Sequence, residues 1–435
     1  QTITFDEYRT LLDFMNLEFG SYFASEPWSK TRAIQELNGD KASGIPWCFN
    51  ALPKKEDVVR ELGVKLGAHD EMTDSDYVNV FDYLLNDFQL HWPVARMTLK
   101  DEIRDDSKAR GFLPMPVQAI AVGNYLYGAQ NNRLQLGVLE HPVTIGLQVP
   151  GAQCATLFRM LKGWNRNCCA DADGSAFDTR FPPFAAQLIC DFRGQFLPES
   201  LRPLHRRYYE SVYLGFVAVL GGIYQVYGNR SGHTNTAVDN SLLQYCIMAL
   251  SAIRKGYTYY QFKSELLFFC NGDDMIWSSR TGVFDPLYLI HTANSVGVYW
   301  LTSYPKFVDV MDTTYIGLEP VMRMVKGLNL LLYKFRRDKI LSSAQFWKHG
   351  ASDADKISKL TSLVMLSYGD ADIYQTCKDD VYRYIVSKLQ VNPDLMHRIA
   401  GLLLFVIDES ALYRLYTGID VAVTRVVSQS VPELF

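Results

Sequence analysis

Residues Asn271-Gly272-Asp273-Asp274 lie between two apolar runs, Leu266 to Cys270 and Met275 to Trp277. Two short strands joined by a tight turn are the natural consequence, with both carboxylates carried at the tip. Adjacent aspartates repel and are costly to bury, so a turn that displays them between hydrophobic strands points to a compensating divalent cation rather than to packing. Read alone, Gly-Asp-Asp is equally a solvated surface turn. The segments upstream change its meaning.

Cys168-Cys169-Ala170-Asp171-Ala172-Asp173 predicts a second buried strand ending at Asp173, and Gly174-Ser175-Ala176-Phe177-Asp178 supplies a further carboxylate soon after. A site for two hard cations needs acidic ligands from separate strands, a need that Asp173 and Asp273 meet. A calcium loop opening at Asp171 fails twice, at Ala176 where glycine is required and at Pro182 where glutamate is required. Between the acidic segments come Ser231-Gly232, Thr236 and Asn240, followed by the apolar-periodic stretch Leu242 to Ile253. A Ser-Gly turn opening a helix presents free backbone N–H groups, and Thr236 and Asn240 share one helical face. An ordinary capped helix would use the same residues. Asn229-Arg230-Ser231 matches a glycosylation acceptor, but no other feature accompanies it to suggest secretion.

The ordered set Asp173-x4-Asp178, Ser231-Gly232-x3-Thr236-x3-Asn240 and Gly272-Asp273-Asp274 resembles motifs A, B and C of viral RNA-dependent RNA polymerases. With Asn271 before the Gly-Asp-Asp, the wording is most similar to the potyvirus-like branch of the picornavirus-like supergroup. Lys41 to Trp47, containing Ser43, Gly44 and Pro46, is similar to motif G, which implies template contact; as plain sequence it is a Gly-Pro turn. Lys100, Arg104 and Arg110 fall in a segment similar to motif F, which implies contact with the incoming triphosphate. That segment departs from the family in its short spacer, which carries Asp105 and Asp106. Val296 to Leu301 leading to Lys306 is similar to motif D, and Tyr315-Ile316-Gly317-Leu318 to motif E. Both equally read as routine strand and turn.

The resemblance implies an α/β (α+β) right-hand polymerase whose palm is an antiparallel sheet backed by helices. The expected division is fingers 1–130, palm 131–211 with motif A, a fingers insertion 212–228, palm 229–326 with motifs B to E, and a helical thumb 327–435. The stretch before motif G is short for the family, so the fingertips that link fingers to thumb are expected to be incomplete. The implied reaction is attack of a primer 3′-hydroxyl on the α-phosphate of a ribonucleoside triphosphate. Asp173 and Asp273, with Asp274 in support, would hold two Mg²⁺ ions, Mn²⁺ being able to substitute. Asp178, Ser231, Gly232, Thr236 and Asn240 would read the ribose, and Lys306 would protonate the leaving pyrophosphate. The implied partners are single-stranded RNA template, nascent RNA, nucleotides and other viral replication proteins, in the host cytoplasm within a complex that reaches membranes through those partners. A reverse transcriptase is the first rival, disfavoured because that family places a bulky aromatic where this chain has Asp178. A non-catalytic RNA-binding scaffold is the second, and it predicts loss of metal carboxylates that are all present here. Nucleotide-hydrolysing motors are disfavoured, since the chain has no Gly-Lys-Ser or Gly-Lys-Thr phosphate loop.

Composition agrees with this reading. A chain of 435 residues exceeds one compact core and predicts two or three subdomains. A net charge of −4 argues against a nucleic-acid partner only if distribution is ignored. From Arg323 to Lys348 the bases Arg323, Lys326, Lys334, Arg336, Arg337, Lys339 and Lys348 face one acid, Asp338, and Arg202, His205, Arg206 and Arg207 form a second cluster. Both are candidate RNA-backbone contacts. The eight cysteines show no zinc spacing and predict reduced core residues of a cytosolic protein. The chain opens at Gln1 without a signal peptide, as expected of a piece cut from a polyprotein or a trimmed chain. Val212 to Val226 is apolar but interrupted and short, which predicts a buried hairpin or helix rather than a membrane span. Ile357 to Tyr368, Asp372 to Leu389 and Pro393 to Val406 have helical periodicity, the last with Asn392-Pro393 as cap and first turn.

Overall fold

The computed structural model describes residues 3–69, 71–99, 111–302, 305–345 and 352–418. The motif F candidates Lys100, Arg104 and Arg110, and Lys348 of the basic run, lie outside the described residues.

The apolar runs around the acidic turn form strands Leu266–Asn271 and Asp274–Ser279, paired antiparallel with Asn271 opposite Asp274. Gly272 takes φ +65° at the first central position of the turn, where a type II′ hairpin requires glycine. The second strand also pairs with Cys169–Gly174, which brings Asp173 directly opposite Asp274, and Trp300–Leu301 completes a four-stranded antiparallel sheet. Alternation along the strands divides two cores. Phe268, Trp277 and Ala170 face one, while Phe269, Ile276 and Cys169 face the other.

Helix Thr236–Arg254 backs the first face, and every residue from Val238 to Ala252 is buried. A helix buried all round needs neighbours on all sides. Helices Phe5–Phe23, Pro183–Gly194 and Pro286–Ser295 and strand Leu266–Asn271 provide them. The second face is covered by helix Ala152–Asn165, the hairpin of strands Leu318–Val325 and Leu328–Phe335, and the C-terminal helices Asp353–Ser367, Ala371–Val391, Leu395–Ile407 and Glu409–Thr417. Its centre is tyrosine-rich, with Tyr416 stacked on Tyr333 at 4.8 Å and tilted against Tyr368 at 5.0 Å.

Two expectations are corrected here. Asn392 and Pro393 do not start the third C-terminal helix: their carbonyls accept short-range bonds from Leu395 and Met396, so they form a preceding turn, and Asp394 is the residue before the helix. The Val212 to Val226 stretch does form a hairpin, Phe216–Val219 with Gly222–Gln225, beside the parallel strand Val94–Arg96. It is not a buried one. Leu220 at its turn is fully exposed, and Ile223 and Tyr224 on the outer strand are mostly so. Among the described residues no helix is long and apolar enough to cross a membrane, and all eight cysteines are free thiols.

Helix Thr236–Arg254 is anchored by an ion pair with no solvent access. Arg193 donates to Asp239 Oδ1 from Nε at 3.0 Å and Nη2 at 2.8 Å, and from Nη1 to Gln130 and Asn131 at 3.1 Å each. Tyr209 and Tyr213 hydroxyls donate to Asp239 Oδ2 at 3.1 and 3.3 Å. Such a pair is costly to break by halves. Asp239→Ala is expected to destabilise the protein by about 3–5 kcal/mol, read from the urea midpoint. Replacing both partners, Arg193→Met with Asp239→Leu, should recover most of that loss. A single substitution as mild as a surface change would contradict this view of the pair.

Candidate active site

The acidic turn is held from behind by the buried helix. Gly272 N–H donates to Ser241 Oγ at 2.8 Å, and Gln244 Nε2 donates to the Asp273 carbonyl at 2.7 Å. Gln244 Oε1 accepts from Trp300 Nε1 at 2.8 Å, and Gly174 N–H reaches the same Asp273 carbonyl at 3.1 Å. Asn271 Nδ2 donates to the Thr144 carbonyl at 3.2 Å. The acidic turn is thus fixed to the Asp173 strand and to the buried helix, and Ser241 and Gln244 are positioning residues that the sequence reading missed. For Gln244 a signal was present: with Ser251 it interrupts the apolar run Leu242 to Ile253.

Asp173 is exposed on a strand whose other residues are buried, and Asp273 and Asp274 are half-buried. Burial pushes the Asp274 carboxyl up to about 7, Asp173 and Asp273 add to the rise, and Lys339 opposes it. Asp171 does not act alongside them as a free acid: it is buried and accepts the Thr314 N–H at 2.8 Å. A set of carboxylate oxygens that penalise each other's charge suits hard divalent cations, so the residues present fit Mg²⁺ or Mn²⁺. Among the described residues, no group of three or more Asp, Glu, His or Cys side chains is placed so as to hold a metal ion. The charges of Asp173 and Asp273 are nevertheless felt at Asp274.

The ribose-reading candidates separate into two groups. Asn240 Nδ2 donates to Asp178 Oδ1 at 2.8 Å, on the short 3-10 turn Phe177–Thr179 that follows the acid strand. Asn240 Oδ1 accepts from Asn229 Nδ2 at 2.6 Å, and Asn229 Oδ1 meets His233 Nε2 at 2.6 Å. Asn229 has no solvent exposure, which closes it to glycosylation in the fold. The other group is committed to the loop. Thr236 Oγ1 donates to the carbonyls of Arg230 and His233, and Ser231 Oγ accepts the Leu113 N–H at 3.4 Å. Gly232 has φ +101°, and a Cβ there would sit 2.6 Å from the Leu113 carbonyl oxygen, so close backbone approach requires glycine.

Several expected contacts turn out to be structural. Ser43 is fully buried and its hydroxyl donates to the Leu52 carbonyl at 2.5 Å, so its side chain does not face a template. Gly44 is buried against Pro116, and Pro46 alone of that trio is exposed. Lys306 is exposed and lies in the chain between Val308, which bridges Cys169, and Leu301. Leu301 is the residue paired with Asp173. The motif E candidate is a tight turn, Ile316 at φ +48° and Gly317 at +77°, that leads into the long hairpin. In the first basic run Arg323 packs inward, 4.2 Å over the Tyr368 ring and 3.2 Å from Glu409. Arg336 pairs with Asp338 at 2.8 Å, whereas Lys339 is exposed and its charge is felt at Asp274. In the second cluster His205 is a core residue, bonded to Tyr127 at 2.8 Å and pushed down to about 4 by burial, and Arg207 donates to the Phe88 carbonyl at 3.1 Å. Linear clustering of charge did not reveal which bases turn inward.

The raised Asp274 carboxyl has a pH consequence. Its ordinary value is 3.8 and its folded value about 7, so across that window the unfolded chain loses its proton first and stability falls as pH rises. At about 1.4 kcal/mol per pH unit the upper limit is about 4 kcal/mol, less for a group that solvent still reaches. In chelator, Asp274→Asn should melt several degrees above wild type at pH 8 and level with it near pH 4. Adding Mg²⁺ should narrow the gap at pH 8 by stabilising wild type. A difference in Tm that does not vary with pH would contradict the assignment of strain to this carboxylate.

A family model described as viral RNA-dependent RNA polymerase matches residues 23–386. Over 265 residues, 55% of this chain, the sequence is 31% identical to the genome polyprotein of bean common mosaic necrosis virus. Over 341 residues, 76% of this chain, it is 24% identical to that of plum pox potyvirus. The chain spans 8% and 22% of those two polyproteins. The solved structure of a sicinivirus 3Dpol RNA dependent RNA polymerase matches with a TM-score of 0.71 at 17% identity, covering 94% of this chain and 87% of that one. A likeness at that identity speaks for the fold, that of a right-hand polymerase. With the family model matching most of its length, this chain belongs to the viral RNA-dependent RNA polymerase family.

Proposed function

We propose that the chain synthesises RNA from ribonucleoside triphosphates on a viral RNA template, with Asp173, Asp273 and Asp274 as its catalytic cluster. The observation that carries this reading is the strand register, which sets Asp173 opposite Asp274 with Asp273 in the adjoining turn. Asp173 and Asp273 would hold divalent cations, Mg²⁺ or Mn²⁺, with Asp274 in support. When bound there, two such ions supply activation of the primer 3′-hydroxyl and neutralise charge on the leaving pyrophosphate. Ser241 and Gln244 hold the Asp273 turn in place through its backbone, so the carboxylates need little rearrangement. Asp178, oriented by Asn240, would accept a hydrogen bond from the ribose 2′-hydroxyl, which favours ribonucleotides. That polar pair also speaks against a reverse transcriptase, and the retained carboxylates speak against a scaffold.

We draw the fingers from 1–130 with the insertion 212–228, a choice supported by the pairing of Val94–Arg96 with Phe216–Val219. The palm is 131–211 and 229–326, with the acidic sheet. The thumb, 327–435, would begin in practice after Phe335, because the 326/327 division falls at the tip of a fully paired hairpin. The partners in this reading are an RNA template, the nascent strand and other viral replication proteins, in the host cytoplasm.

The test is primer extension on a defined RNA template with Mg²⁺ or Mn²⁺. Asp273→Asn should slow single-turnover incorporation by at least about a hundredfold, while filter binding to the same RNA stays near wild type. Asp173→Asn should behave alike. Near-normal extension by either variant would remove the cluster from catalysis, and no incorporation by wild type under any condition would favour the scaffold reading.

A further inference from the structure

Behind Asp178 runs a buried row of side chains, Asn240, Asn229 and His233, exposed by 6%, 0% and 6%. Successive members are 2.8, 2.6 and 2.6 Å apart. Amides and a neutral imidazole can each be turned either way, so the direction of donation along such a row is a chemical question. Two backbone groups that have no choice answer it. The Asn235 N–H lies 3.2 Å from His233 Nδ1, and because an N–H can only donate, Nδ1 accepts. Burial pushes the imidazole down to about 3, so the ring is neutral and its one proton is on Nε2. Independently, the Thr236 carbonyl is 3.1 Å from the Asn229 amide, and because a carbonyl can only accept, Asn229 turns its NH₂ that way and its Oδ1 toward His233.

The two constraints agree. Nε2–H of His233 donates to Asn229 Oδ1, Asn229 Nδ2 donates to Asn240 Oδ1, and Asn240 is left with only its NH₂ for Asp178. Reversed, the row would aim the Asn240 carbonyl at the Asp178 carboxylate, which is repulsive unless Asp178 takes up a proton and becomes a donor.

We propose that His233 and Asn229 are positioning residues for sugar selection: they fix the polarity of this row, and so orient Asp178 as an acceptor for the 2′-hydroxyl of the incoming ribonucleotide. The inference rests on the reading of Asp178 and Asn240 as the sugar sensor, and the test separates the two. Competition between each ribonucleotide and its deoxy analogue on one RNA template gives the ratio of kcat/KM values, with thermal melting as a check on folding. Asn229→Asp keeps the size and the acceptor for His233 but cannot donate to Asn240. His233→Leu removes the donor at the start of the row. Both should lower the ratio about tenfold, chiefly through a higher KM for the ribonucleotide, with the deoxy analogue little affected. His233→Gln, whose amide can donate to Asn229 and whose oxygen can accept from Asn235, should retain the ratio. If Asn229→Asp fails to fold, His233→Leu against His233→Gln carries the test alone. An unchanged ratio in these variants, with a reduced ratio in Asn240→Ala, overturns the proposal and leaves the sensor standing. An unchanged ratio in Asn240→Ala as well overturns both.

Discussion

Repulsion among carboxylates at one end of a sheet is the constraint on which this structure depends. Asp173 and Asp274 are cross-strand partners, and Asp273 is the next residue in the turn. Without compensation, like charges directly opposite on a sheet are destabilising, and at Asp274 burial raises the carboxyl first, with the Asp173 and Asp273 charges adding to the rise. A sheet can hold such an arrangement only if its backbone is fixed by other forces. Here those forces are the two cores that the alternating strands separate, with Phe268 and Trp277 on one side and Phe269 and Ile276 on the other.

The buried helix Thr236–Arg254 connects the acids to the proposed sugar-reading pair, Asp178 and Asn240. Its first turns carry Asn240 toward Asp178, and Ser241 and Gln244 grip the acidic turn. Asp239, one residue before Asn240, is the end of the ion pair to Arg193 that locks the helix to Pro183–Gly194. In the proposed function, catalytic geometry and sugar selection thus share one rigid element rather than separate loops, and displacement of that helix would disturb both together.

Much of this was legible in the chain. The apolar runs around Asn271 to Asp274 read most naturally as a hairpin, and the order of Asp173, Asn240 and Asp273 carried the family resemblance. The periodicity of the C-terminal region gave its first three helices. What escaped depends on long-range packing. Arg323 and His205 look like surface bases in a linear run, yet one stacks on Tyr368 and the other bonds Tyr127, residues far apart in sequence. Ser43 looked available for a template until Val117 and Leu52 enclosed its loop. Asn229 matched a surface glycosylation signal and is instead a wholly buried member of the row behind Asp178. Local pattern reports which residues are polar, but tertiary contact decides which polar groups are spent on the fold.

A cation site built from the three aspartates must bind Mn²⁺. Titration of Mn²⁺, followed by the electron paramagnetic resonance of the free ion, measures this directly on the wild-type chain and on Asp173→Asn combined with Asp273→Asn. The double variant loses repulsion and no packing, so it should remain folded. The expected result is saturable Mn²⁺ binding in wild type, displaced by Mg²⁺ and abolished in the folded double variant. Equal binding by the two proteins, or none by wild type, would contradict the assignment of these carboxylates.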